Sequence, residues 1–372
     1  MSALPASRSV AAPDARATDH AAPSVDHGYR SVTLRSRGER FSTRFRLRHL
    51  VVVVVLLLAA GAVGVVALGT GDFPIPVRDV IRTLLGQGDR RMQLVVLDWR
   101  MPRVLLALIL GAALGAAGAI FQSLTRNPLG SPDIIGFDAG AYTGALIVIT
   151  TIGTGYVAVA GAAIAGGLTT AVVVYLVAYR RGFQGFRLII VGIAVAAMLW
   201  SLNTWIILNA DLYVAIAAGA WGSGSLNTVG WGQAVPAMIA LVPLGLAAAA
   251  LSGKMRLLEM GDDAAVALGV RGNPVRLGLV ALGVAFTAVA TAAAGPIAFV
   301  SLAAPQLARR LTRSAGVTLT ASAAMGALLL CASDLAAQRL FAPTQLPVGI
   351  VTVAIGGIYL IWLLVREGRR RG

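Results

Sequence analysis

Scarcity says more about this chain than abundance does. It holds one cysteine, Cys331, inside an apolar run, so no intramolecular disulfide framework is possible and the residue reads as a small core side chain. Its three histidines, His20, His27 and His49, all precede the first long apolar run, so no His/Cys cluster can hold a bare metal within the later ones. Lysine occurs once, at Lys254, and the formal charge of +15 is therefore carried almost wholly by arginine. Gly253-Lys254 is followed by Met255, so there is no G-x-x-x-x-G-K-[ST] phosphate loop. Carboxylates are rare within the apolar runs, and Asp98, Asp138, Asp211 and Asp334 fall at or near their ends. Proton- and sodium-coupled carriers place ionisable groups at mid-membrane, which weakens that reading. An enzyme is weaker still, because no His, Cys or paired-carboxylate constellation converges.

Apolar residues are what the sequence has in plenty. They make up 57% of its 372 residues against 13% charged, and the mean hydropathy is +0.80. That balance belongs to a polytopic membrane protein rather than a soluble domain with one anchor. Such basicity in a soluble protein would suggest nucleic acid; here the arginines lie between apolar runs, and topology accounts for them without it. Residues 1–47, rich in Ala, Ser, Pro and Arg, are expected to form a disordered cytoplasmic tail. A transmembrane domain follows over 48–366, with spans near 49–68, 104–124, 133–152, 156–179, 188–208, 234–251, 274–294, 297–311, 318–335 and 347–365. Residues 367–372 are a basic cytoplasmic end.

The expected fold is all-α and polytopic, about ten transmembrane helices with both termini in the cytoplasm. This arrangement puts Arg180, Arg181, Arg187, Lys254, Arg256, Arg309, Arg310 and Arg313 inside, as the charge rule requires. The exceptions are Arg78, Arg82, Arg90, Arg91, Arg100, Arg103 and Arg339, which fall outside and ask for an anionic partner there.

The stretch Arg100 to Phe137 organises the rest. Arg100 and Arg103, three residues apart, share one face at a helix start. Val104 to Leu124 is uncharged and long enough to cross a bilayer core. Gly111, Gly115 and Gly118 form a small-residue seam for close helix packing. Arg126, Asn127 and Pro128 break the span, with Asn127 as cap and Pro128 opening a turn. Ser131 and Pro132 are placed as N-cap and first helical residue of the next span. Earlier in the chain, Phe73-Pro74-Ile75-Pro76 precedes a short surface helix over Val77–Leu85. Between spans six and seven, Asp262 or Asp263 is placed to cap a helix over Ala264–Leu268, which Gly269 can end in a left-handed conformation. A helix that short must lean on something, either its own protein or a soluble partner.

These blocks resemble the FecCD/BtuC-type permeases, the membrane subunits of ABC importers for iron–siderophores, haem and cobalamin. The signature LPRxxxAxxxGAxLxxxGxxxQxxxRNPLxxPxxxG reads here MPRVLLALILGAALGAAGAIFQSLTRNPLGSPDIIG, with Met101 for the usual leucine. Leu257–Val270, Ala294–Arg309 and Gln345–Trp362 agree in order, with Gln306 where histidine is common. Within the family, NPLGSPDIIGF, FRLIIVGI, GSLN, MRLLEMGDD and QLPVGIVTV look most like the permeases of ferric enterobactin importers.

The resemblance implies a ten-helix BtuC-like importer fold in a bacterial plasma membrane and a non-catalytic subunit. ATP-Mg would be bound by two partner ATPase subunits, with no cofactor in this chain. The other implied partners are a second related permease chain, a substrate-binding protein, a ferric siderophore and membrane lipid. Arg100 and Arg103, with Arg339 lying one residue off an outer arginine of some relatives, would contact the binding protein. Glu259, Asp262, Asp263, Ala264, Ala265, Leu268 and Gly269, within a coupling segment over about 257–273, would meet the ATPase. Ser201, Asn203 and Thr204 of span five and Thr352 and Gly356 of span ten would line the translocation path, and Arg126, Asn127 and Pro128 would lie at the inner gate. The alternative from another class is a self-sufficient secondary carrier or channel.

Overall fold

The computed structural model describes residues 31–35, 42–179 and 184–371, and the chain divides into residues 1–48 and 49–372. In the first part β1 (Ser31–Arg35) and β2 (Ser42–Arg46) pair antiparallel, with Ser31 opposite Arg46 and Arg35 opposite Ser42. This hairpin differs from the disorder expected of the tail. Val32, Thr33, Thr43 and Phe45 are strand-favouring residues in a basic sequence. Residues 1–30 and 36–41 lie outside the described residues.

Helices follow as α1 (Leu47–Gly69), α2 (Val77–Leu84), α3 (Arg90–Gln93), α4 (Met101–Thr125), α5 (Phe137–Thr151), α6 (Tyr156–Ala178) and α7 (Gly185–Leu208). After these come α8 (Leu212–Gly222), α9 (Trp231–Glu259), α10 (Asp262–Ala267), α11 (Gly272–Ala294), α12 (Val300–Thr312), α13 (Leu319–Arg339) and α14 (Val348–Arg371). The ten expected spans correspond to α1, α4, α5, α6, α7, α9, α11, α12, α13 and α14. Among the described residues, seven helical segments are long and apolar enough to cross a membrane by length and composition. The surface helix after the Pro-rich break is present as α2, and α14 continues through the basic end instead of leaving a separate tail.

A π-helical stretch, Leu94–Arg100, joins α3 to α4. Pro102 has no N–H to give the carbonyl of Asp98, and a wider turn accommodates that missing donor.

The fold is built around α4, which packs against α13, α11, α12 and α9. In a bilayer, apolar burial adds little to helix association, so close approach has to do the work. A Cβ on Gly115 would come 2.2 Å from the carbonyl oxygen of Ser322 on α13, and one on Gly118 would come 1.7 Å from that of Ser301 on α12. The glycine seam of the sequence is thus the contact surface of α4. The α5–α6 pair is made in the same way, with Gly144 against Ala162. Cys331 is buried among Leu110, Leu114 and Leu330 as a small core residue.

Two spans are short. α5 has 15 residues and α12 has 13, against the ~20 a full crossing takes. The remaining path is non-helical, and part of its backbone is bonded within turns, such as Ile135 N–H to the Ser131 carbonyl and Phe137 N–H to the Pro132 carbonyl. The sequence reading started the third span at Asp133 with Ser131 as cap. The structure starts it at Phe137, after Gly136 in left-handed geometry (φ 91°). Asp133 instead turns to α12: its carboxylate accepts from the Phe299 N–H at 3.1 Å and the Ser301 hydroxyl at 2.8 Å. Phe299 has φ 70°, and Asp133 caps the helix it opens.

Candidate docking and coupling sites

At the outer end of α4, the two signature arginines are held within the chain. The Arg103 guanidinium donates to Asp334 of α13 through Nε (2.9 Å) and Nη2 (2.9 Å), to Gln345 Oε1 (2.9 Å) and to Asn227 Oδ1 (2.7 Å). The pair is largely withdrawn from solvent, with side-chain exposures of 12% for Arg103 and 2% for Asp334. Gln338 adds a bond to the same carboxylate. Arg103 therefore joins α4, α13, the segment after α8 and the entry to α14.

Arg100 is similarly engaged. It donates to the carbonyls of Leu68 (2.8 Å) and Phe73 (2.7 Å), pinning the loop after α1, where Gly71 leaves room for the guanidinium. Arg339 is exposed and reaches the Gly71 carbonyl at 3.5 Å. Arg78, Arg82, Arg90 and Arg91 are exposed on α2 and α3. The outer positive charge open to a partner lies on these four and Arg339, whereas two arginines of the charge-rule excess are neutralised or bonded internally.

Sequence reasoning missed Asp334 as Arg103's partner. A carboxylate in an apolar run is a sign that a cation will be found for it. Which cation, across a separation of 231 residues, is decided only by packing.

At the inner end, α10 has the expected place and ending. It runs Asp262–Ala267, and Gly269 takes φ 78° just past it. The cap differs: Gly261 (φ 117°), not an aspartate side chain, precedes the helix. Asp262 accepts instead from Arg126 Nη2 at 3.1 Å and from Arg276 Nη2 of α11.

The faces of α10 divide sharply. Ala265 is fully buried, with Met255, Leu258, Val270 and Leu279 around it. Met260, Val266 and Leu268 are 68%, 66% and 58% exposed. Asp263 and Gly269 are exposed and Ala264 is half-buried. Ala265, read as a coupling contact, faces its own protein, because a six-residue helix leaning on α9 and α11 must bury one side. Glu259 likewise turns inward, against Gly316 in the turn before α13.

Arg126 ends α4 in left-handed geometry (φ 50°), which costs a non-glycine residue about 1–2 kcal/mol. Its guanidinium also donates to the Leu258 carbonyl at 2.9 Å, in the last turn of α9. Asn127 Oδ1 accepts from the Leu129 N–H at 2.9 Å, the turn expected of it. The Pro128 carbonyl accepts from Gln306 at 3.4 Å, and Gln306 also donates to Gln122 at 2.6 Å. The Gln306 amide thus ties α12 to α4.

The expected path residues separate by face. Ser201 and Thr204 are exposed on α7, their hydroxyls bonded one turn back to Ala197 and Trp200. Asn203 is buried toward α5, donating to the Ala139 carbonyl at 3.4 Å. Thr352 is 4% exposed, and Gly356 lies directly against the Phe299 ring. On α14 it is Val353, Ile355, Ile358 and Ile361 that face outward. Three of the five residues are thus enclosed, with Gly356 set against Phe299 at the start of α12.

Comparison with known proteins agrees with this architecture. The model of the FecCD transport family matches residues 48–366. The chain is 50% identical to the ferric enterobactin transport system permease protein FepG of Escherichia coli K12, over 87% of this chain and 98% of that one. It is 36% identical to the siderophore transport system permease protein YfhA of Bacillus subtilis 168, so named as probable, over 85% and 94%. A solved structure described as an inward-facing conformation of a metal-chelate type ABC transporter matches with TM-score 0.73 and 26% identity, covering 86% of this chain and 99% of that one. A polytopic helical membrane protein built around the α4 signature, this chain belongs to the FecCD transport family.

Proposed function

We propose that the chain is the membrane-spanning subunit of an ABC importer that carries a ferric siderophore of the catecholate, enterobactin-like kind across the bacterial plasma membrane. The siderophore class rests on the 50% identity to the enterobactin permease. In this reading ATP-Mg is bound and hydrolysed on two separate ATPase subunits, a related chain completes the transmembrane pair, and a binding protein delivers the chelate from outside. The observation that carries it is the exposed side of α10. Val266 on this six-residue helix, with Met260 just before it and Leu268 just after, stands out to solvent while Ala265 is buried toward α9 and α11, which is the form of a knob made to enter a groove. Outside, Arg78, Arg82, Arg90, Arg91 and Arg339 offer an anionic partner steering charge.

The test is co-purification of the co-expressed ATPase subunits with two variants. Val266→Arg should lose at least nine-tenths of the bound ATPase while the chain remains inserted and monodisperse. Ala265→Arg should instead lower the yield of folded chain, because its Cβ is enclosed. Full ATPase recovery with Val266→Arg would remove the docking role of α10.

A further inference from the structure

We propose that Asp262 is a positioning residue that ties the docking helix to the inner ends of α4 and α11, so that movement of the docked helix is passed to the core of the protein. This rests on the reading of α10 as the docking helix.

α10 is too short to hold its own position. The apolar seat of Ala265 fixes its depth but not its direction, since alanine presents a smooth contact. Asp262 supplies direction. One carboxylate oxygen accepts from Arg126 at the end of α4 and from Arg276 on the first turns of α11. Arg126 simultaneously holds the Leu258 carbonyl in the last turn of α9. α4 and α11 thus meet α10 at a single carboxylate oxygen, and the same Arg126 nitrogen adds α9 through the Leu258 carbonyl.

The arrangement at Arg126 is over-determined in the way functional positions often are. A non-glycine residue adopts left-handed geometry, and that geometry is accompanied by two bonds from its guanidinium into the neighbouring segment. Arg276 is only 11% exposed, so it gives the tie a fixed anchor within the protein. Arg126 and Asp262 are 52% and 59% exposed. Exposed ion pairs contribute little to stability, so this link can break and re-form without unfolding the chain. It stands at the inner end of α4, whose outer end holds Arg100 and Arg103 about 37 Å away by helix rise. Energetic coupling between distant sites runs through packed rigid elements and bonded networks, and α4 with this tie is one.

Asp263, exposed and without an ion pair among the described residues, is the internal control. Spin labels at Val266→Cys and Leu129→Cys report the distance from α10 to the segment after α4; both positions are exposed and the native Cys331 is buried. In the full chain, Asp262→Asn should broaden that distance distribution, Asp262→Glu should restore most of it, and Asp263→Asn should leave it unchanged. With unlabelled protein in the reconstituted importer, Asp262→Asn should lower siderophore uptake at least tenfold while the ATPase subunits still co-purify at normal stoichiometry. An unbroadened distribution, or uptake within twofold of normal, would overturn the tie. Loss of the ATPase from Asp262→Asn would overturn it too, by making Asp262 a docking contact. The label distances need no ATPase. If the ATPase fails to bind even the unaltered chain, the importer reading fails, while the distances still decide whether the tie exists.

Discussion

Arg103 shows how much the place of a side chain in the sequence leaves open. It begins a span at the end read as outer, where positive charge is normally thin, and that position asks for an anion. The anion is internal: Asp334 is 2% exposed and bonded through both oxygens. Removing the cation leaves a buried carboxylate uncompensated, which costs roughly 3–5 kcal/mol. Arg103→Gln should therefore lower the thermal unfolding midpoint in detergent by several degrees, and adding Asp334→Asn should recover much of the loss. An unchanged midpoint for Arg103→Gln would show that the pair contributes no stability. Loss of binding-protein docking in an Arg103 variant is thus to be read together with the amount of folded chain.

Among elements, α4 depends on what it lacks. Its glycines admit the backbones of α12 and α13 to distances at which any side chain collides. Gly118→Ala should reduce the yield of folded protein severalfold, because its methyl would meet the Ser301 carbonyl at 1.7 Å and α12 would have to move. Gly161→Ala on α6, with nothing within 4 Å of the added methyl, should leave the yield unchanged. Size-exclusion profiles of the two variants provide the comparison, and a normal profile for Gly118→Ala would mean that α4 and α12 are not in this contact. The α12 N-terminus depends on Asp133 in a complementary way. There a carboxylate supplied from the segment before α5 caps a helix that its own flanking sequence, Gly295-Pro296-Ile297-Ala298-Phe299, leaves uncapped.

For the molecule as a whole, α7 and α14 leave apolar faces uncovered, and hydroxyl groups are unevenly distributed between them. Ser201 and Thr204 lie on the exposed side of α7, while Thr352 and Gly356 are enclosed. If the path runs along α7 in the assembled importer, Thr204→Cys should react with a water-soluble thiol reagent. Thr352→Cys should stay unreactive in the folded complex. Rapid labelling at position 352, or none at 204, would relocate the path.

The all-helical polytopic fold, the order of its apolar helices, the glycine seam, the short helix between α9 and α11, and the absence of a phosphate loop were all legible in the residues. Each is a local property: hydrophobic length, charge at span ends, small residues at helical spacing, or a missing motif. The left-handed turn at Gly269 was legible for the same reason, since only glycine takes that geometry cheaply. Tertiary structure decided what lies between distant segments. It turned Asp133 from the start of a span into the cap of α12, gave Arg103 to Asp334, and turned Ala265, Thr352 and Gly356 inward. It also brought Arg126, Asp262 and Arg276 together from three separate segments. A charged or small residue in an apolar run announces that it will have a partner or a close neighbour; which one depends on how helices far apart in the chain rotate and pack.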